Sequence, residues 1–168
     1  MIYDSQLRGG VSAPPPQILI LGVGNLLLTD DGFGVHFINA LKDTAFPPNI
    51  TLIEAGTVSH QLIPLFREMD YIIVIDVVEA GDTPGSLFRF SPDDIKFATE
   101  QKVSLHQISL IDVLNMAELT GGKPKTVIIG VQPKDTDSWS MELSNELKTV
   151  IPKVKDLMFM ELRRINAL

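Results

Sequence analysis

Three short apolar runs constrain the fold of this chain more than any other feature. They are Gln17–Val23, Tyr71–Ile75 and Thr126–Val131, each rich in Ile, Leu or Val and nearly free of polar residues. A strand without apolar–polar alternation is buried on both faces, as strands of parallel sheets are. Ile50–Ile53 and Ser86–Phe90 read as two further strands. Between the runs the spacing becomes helical: Phe33 to Leu41, Leu62 to Glu68, His106 to Leu119, and a long stretch from Leu147 to Ile165. Pro152 falls inside that last pattern and is expected to kink the helix or mark its start. Strands alternating with helices predict an α/β domain. The expected architecture is a three-layer sandwich, with a mostly parallel, twisted sheet of about five strands and helices on both faces.

The chain has 168 residues, enough for one domain with a core of its own. Residues 17–168 read as that domain. Residues 1–16 are polar, end in Pro14-Pro15-Pro16 and lack a signal-peptide apolar region, so they read as a disordered leader on a cytoplasmic protein. No apolar run reaches the ~20 residues of a membrane span. The net charge is −7. A basic surface for nucleic acid or an anionic membrane is therefore not expected. Cysteine is absent, which excludes disulfides, thiolate metal sites and cysteine nucleophiles. Any metal site must use oxygen and imidazole, and the only histidines are His36, His60 and His106.

In an open α/β sheet, ligands bind outside the carboxyl ends of the strands. Asp30 and Asp31 follow the first strand, Asp76 ends the third, and His106 opens a helix. Glu54, ending the second strand, is a weaker fourth candidate. Two carboxylates and an imidazole suit a hard-to-borderline divalent ion. Either of the paired aspartates can instead be an N-cap, and adjacent residues rarely both point inward. His36 is expected on the exposed side of the first helix, and His60 stays unassigned. The loop after the first strand carries Gly22 and Gly24, but Leu27 stands where a dinucleotide fingerprint needs its third glycine. No phosphate-binding Gly-Lys-Ser/Thr occurs, and no Gly-x-Ser-x-Gly elbow supports a serine hydrolase.

Gly22-Val-Gly-Asn-Leu-Leu-Leu-Thr-Asp-Asp-Gly-Phe-Gly34 resembles the N-terminal signature of the hydrogenase maturation endopeptidases. The resemblance continues in order through Glu54-Ala-Gly-Thr57, Ile75-Asp-Val-Val78, His106-Gln-Ile-Ser-Leu-Ile-Asp-Val-Leu114 and Val127-Ile-Ile-Gly-Val-Gln-Pro133. It implies removal of a C-terminal peptide from the large-subunit precursor of a nickel–iron hydrogenase. It further implies that Asp31, Asp76 and His106 bind the metal and carry the catalysis. The nickel would come with the substrate, bound to the substrate's own cysteines, and no organic cofactor is expected. Asp30 then becomes the structural member of its pair. The implied partner is the precursor, with the protein itself a monomer. A non-catalytic precursor-binding chaperone and a hydrolase with its own resident divalent metal are the alternatives. Glu54 could activate the attacking water.

Overall fold

The computed structural model describes residues 14–57, 60–97 and 105–168; the side chains of 95–97 and 105–109 lie outside the description. Most of the expected leader, residues 1–13, also lies outside it.

Five strands form one sheet: β1 (Ile18–Val23), β2 (Ile50–Gly56), β3 (Tyr71–Val77), β4 (Leu87–Phe90) and β5 (Lys125–Val131). Their spatial order is β2-β1-β3-β5-β4. β1, β2, β3 and β5 pair in parallel, and β4 pairs antiparallel along the β5 edge. The helices are α1 (Phe33–Ala40), α2 (Ile63–Glu68), α3 (Pro92–Phe97), α4 (Leu105–Leu119) and α5 (Asn145–Arg164).

Alternate side chains of the central strands enter two separate cores. Ile18 and Ile20 of β1, Ile73 and Ile75 of β3 and Ile129 of β5 pack against α1 and α5, around Phe33, Phe37, Val154 and Met158. Leu19, Leu21, Ile72, Val74 and Ile128 pack the other way, against Phe66 of α2 and Leu110, Val113 and Ala117 of α4. This double burial is why the strands lack apolar–polar alternation. The sandwich of helix, sheet and helix expected from the sequence is thus the fold observed.

Three local features differ from the sequence reading. Pro152 does not start α5; it sits inside it. The helix already begins at Asn145, where Ser144 caps it by accepting from the Leu147 N–H. α3 was not expected from the pattern. It begins after Ser91, whose N–H and hydroxyl both donate to the Asp94 carboxylate. Ser-Pro-Asp-Asp is a capping-box sequence with proline in the first turn, and that signal was available. Third, His36 lies on the less buried side of α1, with Asn39 and Ala40, but is not fully exposed. It is half-buried, and its Nε2 is buried with no hydrogen-bond partner among the described residues.

The order of strands positions the site. The chain leaves β1 for β2 on one side, then crosses to β3 on the other. The switch point therefore lies between the carboxyl ends of β1 and β3, where open α/β sheets bind ligands.

Candidate active site

The segment after β1 is shaped by glycine. Gly24 has a φ of +136°, and a Cβ there would collide with the Asp31 carbonyl. The chain can fold back on itself only without that side chain. Gly34, in the first turn of α1, is pressed against the backbone of Val23 and the carbonyl oxygen of Ile75. A Cβ at Gly22 would in turn strike the Gly34 carbonyl. The start of α1 thus rests directly on the ends of β1 and β3.

Between these glycines, Thr29–Gly32 form a single tight 3-10 turn that packs against β3. It carries both aspartates. Asp31 is 7% exposed, and its Oδ2 accepts from the Asn25 N–H at 3.1 Å. Asn25 in turn uses its side-chain Oδ1 to accept from the Leu27 N–H at 3.0 Å, which sets the turn.

Asp76 is the penultimate residue of β3 and is 1% exposed. Its Oδ1 accepts from the Val77 N–H at 2.8 Å. Strand alternation puts it with Ile72 and Val74, on the face covered by α2 and α4. The C-terminal end of α4 leads through Gly121 and Gly122 into Lys125, which starts β5 beside Tyr71. The first turn of α4, which contains His106, therefore lies at the carboxyl edge and on the Asp76 face. The His106 side chain itself is outside the described residues. Among the described side chains, no three His, Cys, Asp or Glu form a metal-binding group.

Asp30 takes a different part from its neighbour. It is fully buried. Its Oδ2 accepts from the N–H groups of Lys134 (2.9 Å) and Asp135 (3.1 Å), and its Oδ1 from the Ser144 N–H (2.7 Å). One carboxylate thereby holds both ends of the segment joining β5 to α5. Three N–H donors satisfy the hydrogen-bonding needs of this buried carboxylate.

Glu54 is directed elsewhere. On β2 it is exposed, and it pairs with Lys42 just beyond α1 at 3.5 Å. It pairs in register with Gly22, on the α1 face of the sheet and opposite to Asp76. The suggestion that Glu54 activates water therefore has no support in the geometry. His60 is exposed in a short 3-10 turn before α2.

Sequence reasoning missed Gln132. It is buried just after β5, and its Oε1 accepts from the N–H groups of Ala80 (2.9 Å) and Asp82 (3.2 Å). It ties the loop after β3 to the loop after β5, above the carboxyl edge. Glu79, Gly81, Gln132, Lys134 and Thr136 line an open cleft of about 350 Å³ there. A polar residue immediately after an apolar strand was the available signal.

A family model described as hydrogenase maturation protease matches residues 35–161. The chain belongs to the hydrogenase maturation protease family. The matched range contains Asp76 and His106 and begins just past Asp31. The protease is 37% identical over 142 residues to the hydrogenase expression/formation protein HupD of Rhizobium leguminosarum, covering 83% of this chain and 70% of that protein. It is 32% identical over 124 residues to the hydrogenase 2 maturation protease of Escherichia coli, covering 72% and 76%. Its fold matches the hydrogenase maturating endopeptidase HybD from E. coli, with a TM-score of 0.80 at 28% identity, over 88% of this chain and 93% of that one.

Proposed function

We propose that this protease removes the C-terminal peptide of a nickel–iron hydrogenase large-subunit precursor after nickel insertion. In this reading the nickel is part of the substrate. The precursor's cysteines hold it, and Asp31, Asp76 and His106 complete its coordination. The observation that carries the reading is the placement of Asp31 and Asp76. Both carboxylates are nearly inaccessible, yet they belong to elements that meet at the β1/β3 switch point of a family of endopeptidases.

The chemistry is coherent. Oxygen and imidazole donors suit a borderline divalent ion but bind it more weakly than thiolates. A chain without cysteine does not compete for the precursor's nickel; it engages the ion and lets it go. Holding the ion fixes the peptide next to it, and the metal supplies Lewis-acid polarisation. Asp31, held by the Asn25 N–H, and Asp76, held by the Val77 N–H, each have one oxygen engaged with backbone, which limits rotation of the carboxylate.

The protease acts in the cytoplasm as a monomer in this reading. No described helix is long and apolar enough to cross a membrane.

The test mixes purified protease with nickel-loaded and nickel-free precursor and follows the shortened large subunit by mass spectrometry. Cleavage of the nickel-loaded form alone is expected. Equal cleavage of both forms would refute nickel as the recognition signal. A stable complex without peptide release would favour a precursor-binding chaperone. Stoichiometric metal in the protease as purified would favour a resident-metal hydrolase.

A further inference from the structure

Trp139, the only tryptophan of the chain, is 81% exposed. Met141 and Leu27, on the same edge of the molecule, are 61% and 48% exposed. Large side chains in the open are ordinary when scattered. These three are drawn together by main-chain bonds. The Ser140 N–H donates to the Leu27 carbonyl at 3.1 Å, and the Thr29 N–H donates to the Ser140 carbonyl at 2.8 Å. The Thr29 hydroxyl donates to the Ser138 carbonyl at 2.8 Å. Thr29 is held at a φ of +39°, an unfavourable value for a β-branched residue, and these bonds compensate for it. The Asp30 carboxylate anchors the segment at Lys134, Asp135 and Ser144. An irregular stretch between β5 and α5 is thus fixed along its length, while its tryptophan is left in water.

The display is continuous with the candidate site. Leu27 lies just before the 3-10 turn that carries Thr29 and Asp31, and Asn25 hydrogen-bonds both to Asp31 and to Leu27. The segment is also acidic: Pro133 to Ser144 holds one lysine against three carboxylates. That lysine, Lys134, is paired with Glu146 at 2.8 Å, and Glu142 is paired with Lys148 at 2.7 Å, so Asp135 and Asp137 are the carboxylates the segment presents beside Trp139.

From this we infer that Leu27, Trp139 and Met141 form a preorganised docking platform for the polypeptide substrate. Its occupant is an apolar segment of the precursor flanked by basic residues, which the platform seats so that the metal-bearing part reaches Asp31. This rests on the reading that the substrate is a polypeptide precursor. Aromatic and methionine side chains are what interface hot spots use, and fixing the backbone that carries them beforehand lowers the entropy lost on docking. The acidic surroundings select the basic flanks and steer their approach.

The test uses the full-length protease and the nickel-loaded precursor. Trp139→Ala is expected to raise KM at least about tenfold, with kcat and Tm unchanged. Raising the salt concentration should raise the wild-type KM as well. A fluorine-labelled tryptophan gives the protease a single signal, and in an Asp31→Asn background it should shift when uncleaved precursor is added. An unchanged KM, or a lowered kcat at unchanged KM, would overturn the platform, as would a KM indifferent to salt. So would a fluorine signal that responds only to the protease's own concentration, which would mark a contact between two copies. These outcomes are separable from the proposed cleavage: if wild type cleaves and Trp139→Ala cleaves equally well, only the platform fails. If wild type does not cleave the precursor at all, the reading of function fails.

Discussion

Two adjacent aspartates divide the work at the carboxyl edge. Asp30 turns into the protein and takes three backbone N–H groups; Asp31 stays next to the switch point, where its Oδ2 takes the Asn25 N–H. Their substitutions should therefore behave differently. Asp30→Ala leaves the three donors without their acceptor and is expected to cost about 3 kcal/mol, read from urea denaturation. Asp31→Asn keeps an oxygen for the Asn25 N–H. It is expected to change stability by less than ~1 kcal/mol while processing of the precursor is lost. A third prediction concerns Gly34. Alanine there would press a Cβ onto the Ile75 carbonyl and the Val23 backbone, atoms that cannot rotate away. A loss of about 3 kcal/mol is expected from a thermal or denaturant midpoint. The sequence made the pair visible and the choice between its members did not follow from spacing. That choice depends on which carboxylate meets the β5–α5 segment, a contact between residues more than a hundred positions apart. His36 shares the more open side of α1 with Asn39 and Ala40, yet it is only half-exposed. Phe33, Val35, Phe37 and Ile38 of α1 are all buried, so the open side of the helix is narrow.

At the scale of elements, the central strands were legible because burial on both faces leaves an unmistakable run of branched apolar residues. The direction of β4 was not, since antiparallel pairing to β5 depends on the path of the chain rather than on composition. An ion pair to α5 adds to the β5 ladder in fastening β4. Arg89 Nε and Nη2 donate to Glu161 Oε1 and Oε2 at 2.6 and 3.0 Å. The Glu161 side chain is buried while Arg89 is partly open. The arginine's hydrogen bonds hold the Glu161 carboxyl below its ordinary value of 4.5, against the opposing effect of burial. A carboxyl with a depressed folded-state pKa stabilises the protein above its unfolded pKa. That contribution disappears as pH falls below about 4.5 toward the depressed value. Tm of the wild type should therefore fall on acidification through this window, more steeply than that of Arg89→Ala. At neutral pH that substitution is expected to cost about 1–2 kcal/mol, a figure reduced for the solvent screening at Arg89. Equal slopes in the two proteins would show that the pair does not fasten β4.

The whole molecule is organised around one edge. Glycines press α1 onto β1 and β3, strand order opens the sheet between them, and Asp30 and Gln132 fix the overlying loops. The fold class and this edge could be read from the alternation of strands and helices. The face on which each residue lies could be read only in part. Glu54 and Asp76 both end strands, yet register puts them on opposite faces, and Glu54 is engaged by Lys42. The acidic balance of the chain, net −7, gains a local meaning here, because part of it surrounds the exposed Trp139. The central claim is that Asp31, Asp76 and His106 meet on the nickel of a polypeptide substrate. It is tested most directly by X-ray absorption at the nickel edge, on nickel-loaded precursor mixed with wild-type protease and with the Asp31→Asn, Asp76→Asn and His106→Ala variants. New oxygen and nitrogen scattering at the nickel is expected with the wild type and should decrease in each variant. A nickel environment unchanged by the wild-type protease would contradict the account.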